Sequence, residues 1–162
     1  MSKEIQSFTK EWHGRNLTLS TGKLANQANA CVLAQYGETV VMATVTQSEE
    51  EQNVDFFPLM VDFEEKLYAA GIIKGSRWVK REGQPSEESV LTGRMIDRSI
   101  RPLFDESSRR SVQVVVTVLS VDKENDHDVL SLIATSAALS VADVNWGGPI
   151  GGIRIGMLEN EF

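Results

Sequence analysis

The stretch VQVVVTVLSVDKENDHDVLSLIATSAALSVAD, Val112 to Asp143, decides the fold. Its first ten residues, Val112 to Val121, are a nearly unbroken β-branched run, which reads as a strand buried on both faces. The residues after it carry helical periodicity, with Asp126 or Asp128 placed to cap the helix N-terminus. This helix is rich in Ala and Ser, so it is expected to pack closely on its neighbours. A buried strand feeding a helix, within 162 residues of which 41% are apolar, implies one α/β or α+β domain with a single core.

Working towards the N-terminus, FFPLMVDFEEK, Phe56 to Lys66, reads as another strand, with Pro58 marking an edge or an irregular start. Three β-rich runs precede it: Asn16 to Ser20, Ala28 to Tyr36 and Thr39 to Gln47. The last two are separated only by Gly37 and Glu38, the signature of a hairpin. A second helix is predicted from Glu87 to Ile100. Ser86 is a good N-cap, Glu87 and Glu88 suit the first turn, and Pro102 stops the helix. Towards the C-terminus, Gly147-Gly148-Pro149 forms a turn and IGGIRIGML, Ile150 to Leu158, is expected to begin one more strand. The glycines there match neither phosphate-loop nor dinucleotide spacing, so they imply no nucleotide cofactor.

Charge is unevenly distributed. The chain is at -7 overall, yet Lys74 to Arg101 holds seven basic residues against four acidic ones, while the rest holds nine basic and nineteen acidic. A diffuse basic surface is thereby excluded and a local anion site is left. On a helix advancing about 100° per residue, Arg94, Arg98 and Arg101 fall within roughly 60° of arc, and Met95, Ile96 and Ile100 lie on another side. The arginine fork suits phosphate, because it donates two parallel hydrogen bonds and keeps its charge at any working pH. The competing reading is a solvated face with intrahelical ion pairs, for which Asp97 is the partner on that side. Just upstream, Arg77, Trp78, Lys80 and Arg81 set an indole among cations, a mixture suited to single-stranded nucleic acid, although Trp78 alone also reads as a packing anchor.

Other signals are sparse. Cys31 is the sole cysteine and His13 and His127 are the only histidines, so no disulfide framework or zinc ligand set can be assembled, and a reducing, cytoplasmic setting is expected. There is no signal-peptide pattern, and no apolar run is long enough to span a bilayer. Asp62 and Glu64 share one strand face beside Glu65, but carboxylates at a strand end are expected to be solvated rather than to hold a metal.

Four runs, FFPLMVDFEEKLYAAG, KREGQPSEESVLTGRMIDRSIRPLF, Val112 to Asp143 and GPIGGIRIG, together with GKLANQANACVLAQYGETVVMATVT, occur in the order seen in a known family. Across nearly the whole chain the sequence resembles the first RNase PH-like domain of the bacterial polynucleotide phosphorylases. The resemblance implies an α/β (α+β) RNase PH-like fold of mixed β-sheet layers with helices. It also implies that residues 1–162 are an incomplete first core domain, without the second core, KH or OB-fold domains of the family. That family degrades RNA from its 3′ end with inorganic phosphate, releasing nucleoside diphosphates in a reversible reaction, and assembles as a homotrimeric ring.

The resemblance further implies that Trp78, Lys80 and Arg81 occupy the family's RNA-gripping channel loop. This copy departs from the pattern, with Val79 in place of a second aromatic and Gln84 in place of an arginine. Arg94, Arg98 and Arg101 match helix arginines that lie near phosphate or the RNA backbone, and which of the three does so here is left open. Single-stranded RNA and inorganic phosphate are the implied partners, with no DNA and no membrane. Catalytic acids and the Mg2+ or Mn2+ of the family are implied to lie outside this segment, so no catalytic residue and no cofactor is expected within it. A second functional class stays in view, a stand-alone RNA-binding or assembly module without catalysis. An incomplete domain is also expected to leave a sheet edge and an apolar face uncovered, and so to self-associate.

Overall fold

A computed structural model describes residues 4–73 and 84–159. The elements run β1 (Gln6–Trp12), β2 (Arg15–Thr21), β3 (Ala30–Tyr36), β4 (Thr39–Glu51), β5 (Leu59–Glu65), α1 (Glu87–Ile100), β6 (Arg110–Ser120) and α2 (His127–Val141). They build one mixed sheet in the order β1-β2-β3-β4-β6-β5, antiparallel throughout except that β5 runs parallel to β6 at the edge.

Both helices lie on one side of this sheet. Val41, Ala43 and Val45 of β4, with Val112, Val114, Val116 and Val118 of β6, project to that side. They join Ile96 and Ile100 of α1 and Leu130, Ala134, Ala138 and Leu139 of α2 in a single core. Alternation explains the choice, since every second side chain of a strand reaches the same face. The small residues of α2 let it pack against sheet, α1 and the following segment at once, and Gly152 lies so close to the Leu132 side chain that a Cβ there would sit 2.8 Å from Leu132 Cδ2. The expectation that β6 is buried on both faces is corrected here. Its other face is only partly buried, with Gln113 exposed, Val115 and Leu119 half-buried and Thr117 buried, and no helix covers that side among the described residues.

Two further expectations change. β1 was not foreseen, because QSFTKEW is almost wholly exposed and is held only as the outer arm of a hairpin with β2. The anticipated strand after the glycine turn does not form over residues 147–157. Instead that segment crosses α2, where the Ser136 hydroxyl accepts from Ile150 N–H at 2.9 Å and Arg154 pairs with Asp126 and Asp128. Over residues 147–157 no strand ladder forms among the described residues, and Ile153, Ile155 and Met157 are exposed. Asp126 does hold the N-cap position of α2, but its carboxylate serves Arg154 and makes no cap bond.

The β3–β4 hairpin and the β6–α2 connection are joined through Asp122. Its carboxylate accepts from backbone N–H groups of Glu38 (3.0 Å), Glu124 (2.9 Å) and Asn125 (2.8 Å) and from the Asn125 side-chain amide (2.5 Å). Burial opposes ionisation, but these donors, led by the Asn125 N–H, outweigh it and hold the carboxyl far below the ordinary aspartate range. Gly37 sits at φ 61° directly beneath this knot, so close that a Cβ there would lie 2.5 Å from Asn125 Nδ2.

Candidate nucleic-acid interface

Helix α1 spans Glu87–Ile100, as its punctuation predicts. Ser86 caps it, its hydroxyl accepting from Ser89 N–H at 3.0 Å. Ser89, Gly93, Ile96 and Ile100 form the buried stripe, spaced four, three and four residues apart, which faces β5 and the core. At Gly93 the helix comes so near β5 that an added Cβ would touch Phe63 Cβ at 3.5 Å and Val61 O at 3.7 Å.

The structure separates the three arginines on the opposite side. Arg101 lies at the helix C-cap and turns back onto the protein. Its Nε and Nη2 donate to the two Asp97 oxygens at 3.0 and 2.5 Å, and its guanidinium also donates to Leu59 O (3.1 Å) and Phe57 O (3.5 Å) at the start of β5. Most of its donors are therefore engaged. Arg94 and Arg98 are exposed and have neither an ion-pair nor a hydrogen-bond partner among the described residues. They stand among Val90, Leu91 and Met95, which are also exposed, so this face mixes exposed guanidinium groups with apolar surface. Arg94 also borders a cleft of about 240 Å³ bounded by Val61 and Phe63 of β5, Gly93 and Asp97 of α1, and Pro85.

Trp78, Lys80 and Arg81 lie outside the described residues. The segment that holds them is contiguous in sequence with the N-terminal end of α1, where a polar cluster has formed. Glu65, the last residue of β5, accepts from the Ser86 hydroxyl at 2.8 Å and the Ser89 hydroxyl at 3.1 Å, while His127 Nε2 stands 3.3 Å from its other oxygen. His127 in turn stacks on Phe63 with ring centroids 5.7 Å apart. Sequence reasoning missed this cluster. The only advance signal was the Ser-Glu-Glu-Ser spacing at the α1 N-terminus, and nothing local ties it to Glu65 or His127.

The carboxylates of β5 are thus committed to the protein itself: Asp62 accepts from Gln113 at 2.9 Å, Glu64 pairs with Lys66 at 2.9 Å, and Glu65 receives the helix termini. No group of three or more His, Cys, Asp and Glu arranged to hold a metal ion occurs among the described residues. The exposed guanidinium groups of Arg94 and Arg98 offer charge and hydrogen bonds suited to an anion, and Val90, Leu91 and Met95 beside them offer apolar surface. Permanently charged guanidinium groups do not shuttle protons. No helix among the described residues is long and apolar enough to cross a membrane.

The mixed sheet with two helices on one side, and the exposed Arg94 and Arg98 on α1, can be set beside known proteins. Residues 13–145 match the model of the 3′ exoribonuclease family, domain 1, and the chain belongs to that family. It is 52% identical over all 162 residues to a polyribonucleotide nucleotidyltransferase of Macrococcus caseolyticus and 51% identical to one of Exiguobacterium sibiricum. It covers only 23% and 22% of those proteins, so it spans less than a quarter of the length of the curated relatives it matches. Among solved structures, the Archaeoglobus fulgidus exosome with RNA bound to the active site shares the fold, with a TM-score of 0.59 and 20% identity over 86% of this chain and 52% of that one.

Proposed function

We propose that the chain serves as the first RNase PH-like domain of a phosphate-dependent 3′→5′ exoribonuclease, a polyribonucleotide nucleotidyltransferase that degrades RNA to nucleoside diphosphates in a reversible reaction. The observation that carries this reading is the pair of exposed arginines, Arg94 and Arg98, without partners among the described residues on the outer face of α1, in a chain half-identical along its whole length to such enzymes. In this role the domain holds RNA. Arg94 and Arg98 contact phosphate or the RNA backbone, Arg101 braces the end of their helix, and Trp78, Lys80 and Arg81 supply stacking and charge from the preceding segment.

The chemistry, with its acids and its Mg2+ or Mn2+, then belongs to the rest of the longer polypeptide. Inorganic phosphate is its co-substrate, and a homotrimeric ring in the cytoplasm is its working form. The lone buried Cys31 and the absence of a disulfide framework fit a reducing compartment.

The test is phosphate-dependent release of nucleoside diphosphate from long single-stranded RNA by the full-length polypeptide, in wild type and in Arg94→Ala and Arg98→Ala. The expected result is a raised KM for RNA in each variant with kcat little changed, the signature of lost binding that is uniform between ground and transition states. Absence of any phosphate-dependent release from the wild type contradicts the enzyme reading. Unchanged KM in both variants contradicts the role given to the arginines.

A further inference from the structure

We infer that Glu65 is a positioning residue for the RNA-contacting face of α1, acting chiefly on Arg94; the inference rests on the RNA-holding role proposed above for that face. The two halves of α1 are held by different forces. Its C-terminal half buries Ile96 and Ile100 completely and is braced by Arg101 on Asp97 and Leu59 O. Its N-terminal half has no apolar anchor: Val90 and Leu91 are 45% and 63% exposed, and only Ser89 and Gly93 are buried there. Glycine contributes no side chain, so among the described residues what ties these turns to the sheet is the pair of hydrogen bonds from Ser86 and Ser89 to one Glu65 oxygen.

Glu65 is well placed for this task. It closes β5 where the N-termini of α1 and α2 converge, and a carboxylate beside two helix N-termini is electrostatically favourable. His127, at the first turn of α2, stands against its second oxygen and is backed by the Phe63 ring. Ser89 is 2% exposed, so its hydroxyl has little access to water as an alternative partner. Arg94 follows Gly93 directly and borders the cleft against β5, so a helix N-terminus that swings away from Glu65 carries Arg94 with it. Arg98 lies between Ile96 and Ile100, whose burial fixes it independently.

The test separates the bond from the helix cap. In the full-length polypeptide, Ser86→Asp keeps an oxygen that accepts from Ser89 N–H, since Asp is as good an N-cap as Ser, but sets a carboxylate against Glu65. The expected result is a KM for long single-stranded RNA raised about threefold to tenfold, with kcat within about twofold and the melting temperature within about 2 °C of wild type. Adding Glu65→Gln, whose amide can donate to the introduced carboxylate, returns KM to within about twofold of wild type. Combined with Arg94→Ala, Ser86→Asp has no further effect, whereas with Arg98→Ala the two losses multiply.

An unchanged KM in Ser86→Asp while Arg94→Ala raises it overturns the positioning role and leaves the proposed function standing. An unchanged KM in Arg94→Ala itself overturns the positioning role and the RNA contact given to Arg94, while the enzyme reading is decided separately by phosphate-dependent release from the wild type. Failure of Glu65→Gln to restore Ser86→Asp overturns the claim that the Glu65 bond is what matters.

Discussion

Replacing Asp122 by alanine removes the acceptor that holds two turns together, and the cost can be worked from its partners. Of its five donors, the N–H groups of Glu38 and Glu124 are exposed and turn to water with little loss, and the buried Thr39 hydroxyl, 3.1 Å from Asp122, keeps Asn125 O at 3.0 Å as an alternative acceptor. The Asn125 N–H and side-chain amide are partly buried and lose their acceptor at about 1 kcal/mol each or somewhat more, giving about 2–3 kcal/mol in all. For a chain of this length that lowers the melting temperature by about 5–10 °C. Because the folded-state pKa of Asp122 is depressed, its stabilisation is complete above the unfolded value of about 3.9 and is lost as pH falls through the lower folded value. Thermal unfolding of wild type and Asp122→Ala at dilute concentration, from pH 7 down to pH 3, therefore shows a gap that is constant above pH about 5 and narrows below pH about 4. A melting temperature unchanged by the substitution, or a gap independent of pH across that range, refutes the reasoning.

Three further outcomes are expected. Arg101→Ala frees Asp97 and the start of β5, so it destabilises the chain by about 1–2 kcal/mol in urea unfolding yet leaves the salt dependence of RNA binding by the full-length polypeptide unchanged; a lowered salt slope shows Arg101 to be a phosphate contact. Trp78→Ala in the full-length polypeptide weakens binding of long single-stranded RNA by about tenfold, at about 1–3 kcal/mol per stacked base, and unchanged affinity removes Trp78 from the interface. The 162-residue chain self-associates at high concentration through the uncovered sheet face around Val115 and Leu119, and a clean monomer in sedimentation counts against this.

The parts of the fold legible in advance were those with local causes. Helix α1 was bounded correctly because Ser86 and Pro102 act on neighbouring backbone, and β3, Gly37 and β4 were visible because a hairpin needs only adjacent residues. The sheet order was not legible, since β4 pairs with β6 about seventy residues away and nothing within either strand names the other. β1 escaped because a hairpin arm exposed on both faces carries no apolar alternation. At the interface, helical spacing grouped Arg94, Arg98 and Arg101 on one side, which the structure keeps for exposed Arg94 and Arg98 but not for Arg101, and the four-residue step to Asp97 hinted at a pair. It could not reveal that Arg101 also reaches Leu59 O, which depends on how α1 docks on β5. Glu65 was legible only as a strand-end carboxylate, because its partners Ser86, Ser89 and His127 are brought to it by the tertiary fold.

The central claim, that α1 presents Arg94 and Arg98 to RNA phosphates, is tested most directly by the salt dependence of RNA affinity. Fluorescence anisotropy of a labelled single-stranded RNA is measured with the full-length polypeptide across a salt series, for wild type, Arg94→Ala and Arg98→Ala. Each phosphate contact releases counterions when it forms, so losing one lowers the slope of log affinity against log salt by about 0.7. The account predicts that reduction for each substitution, with affinity weakened similarly on RNAs of different sequence. Slopes identical to wild type in both variants contradict it and return α1 to a solvated helix face.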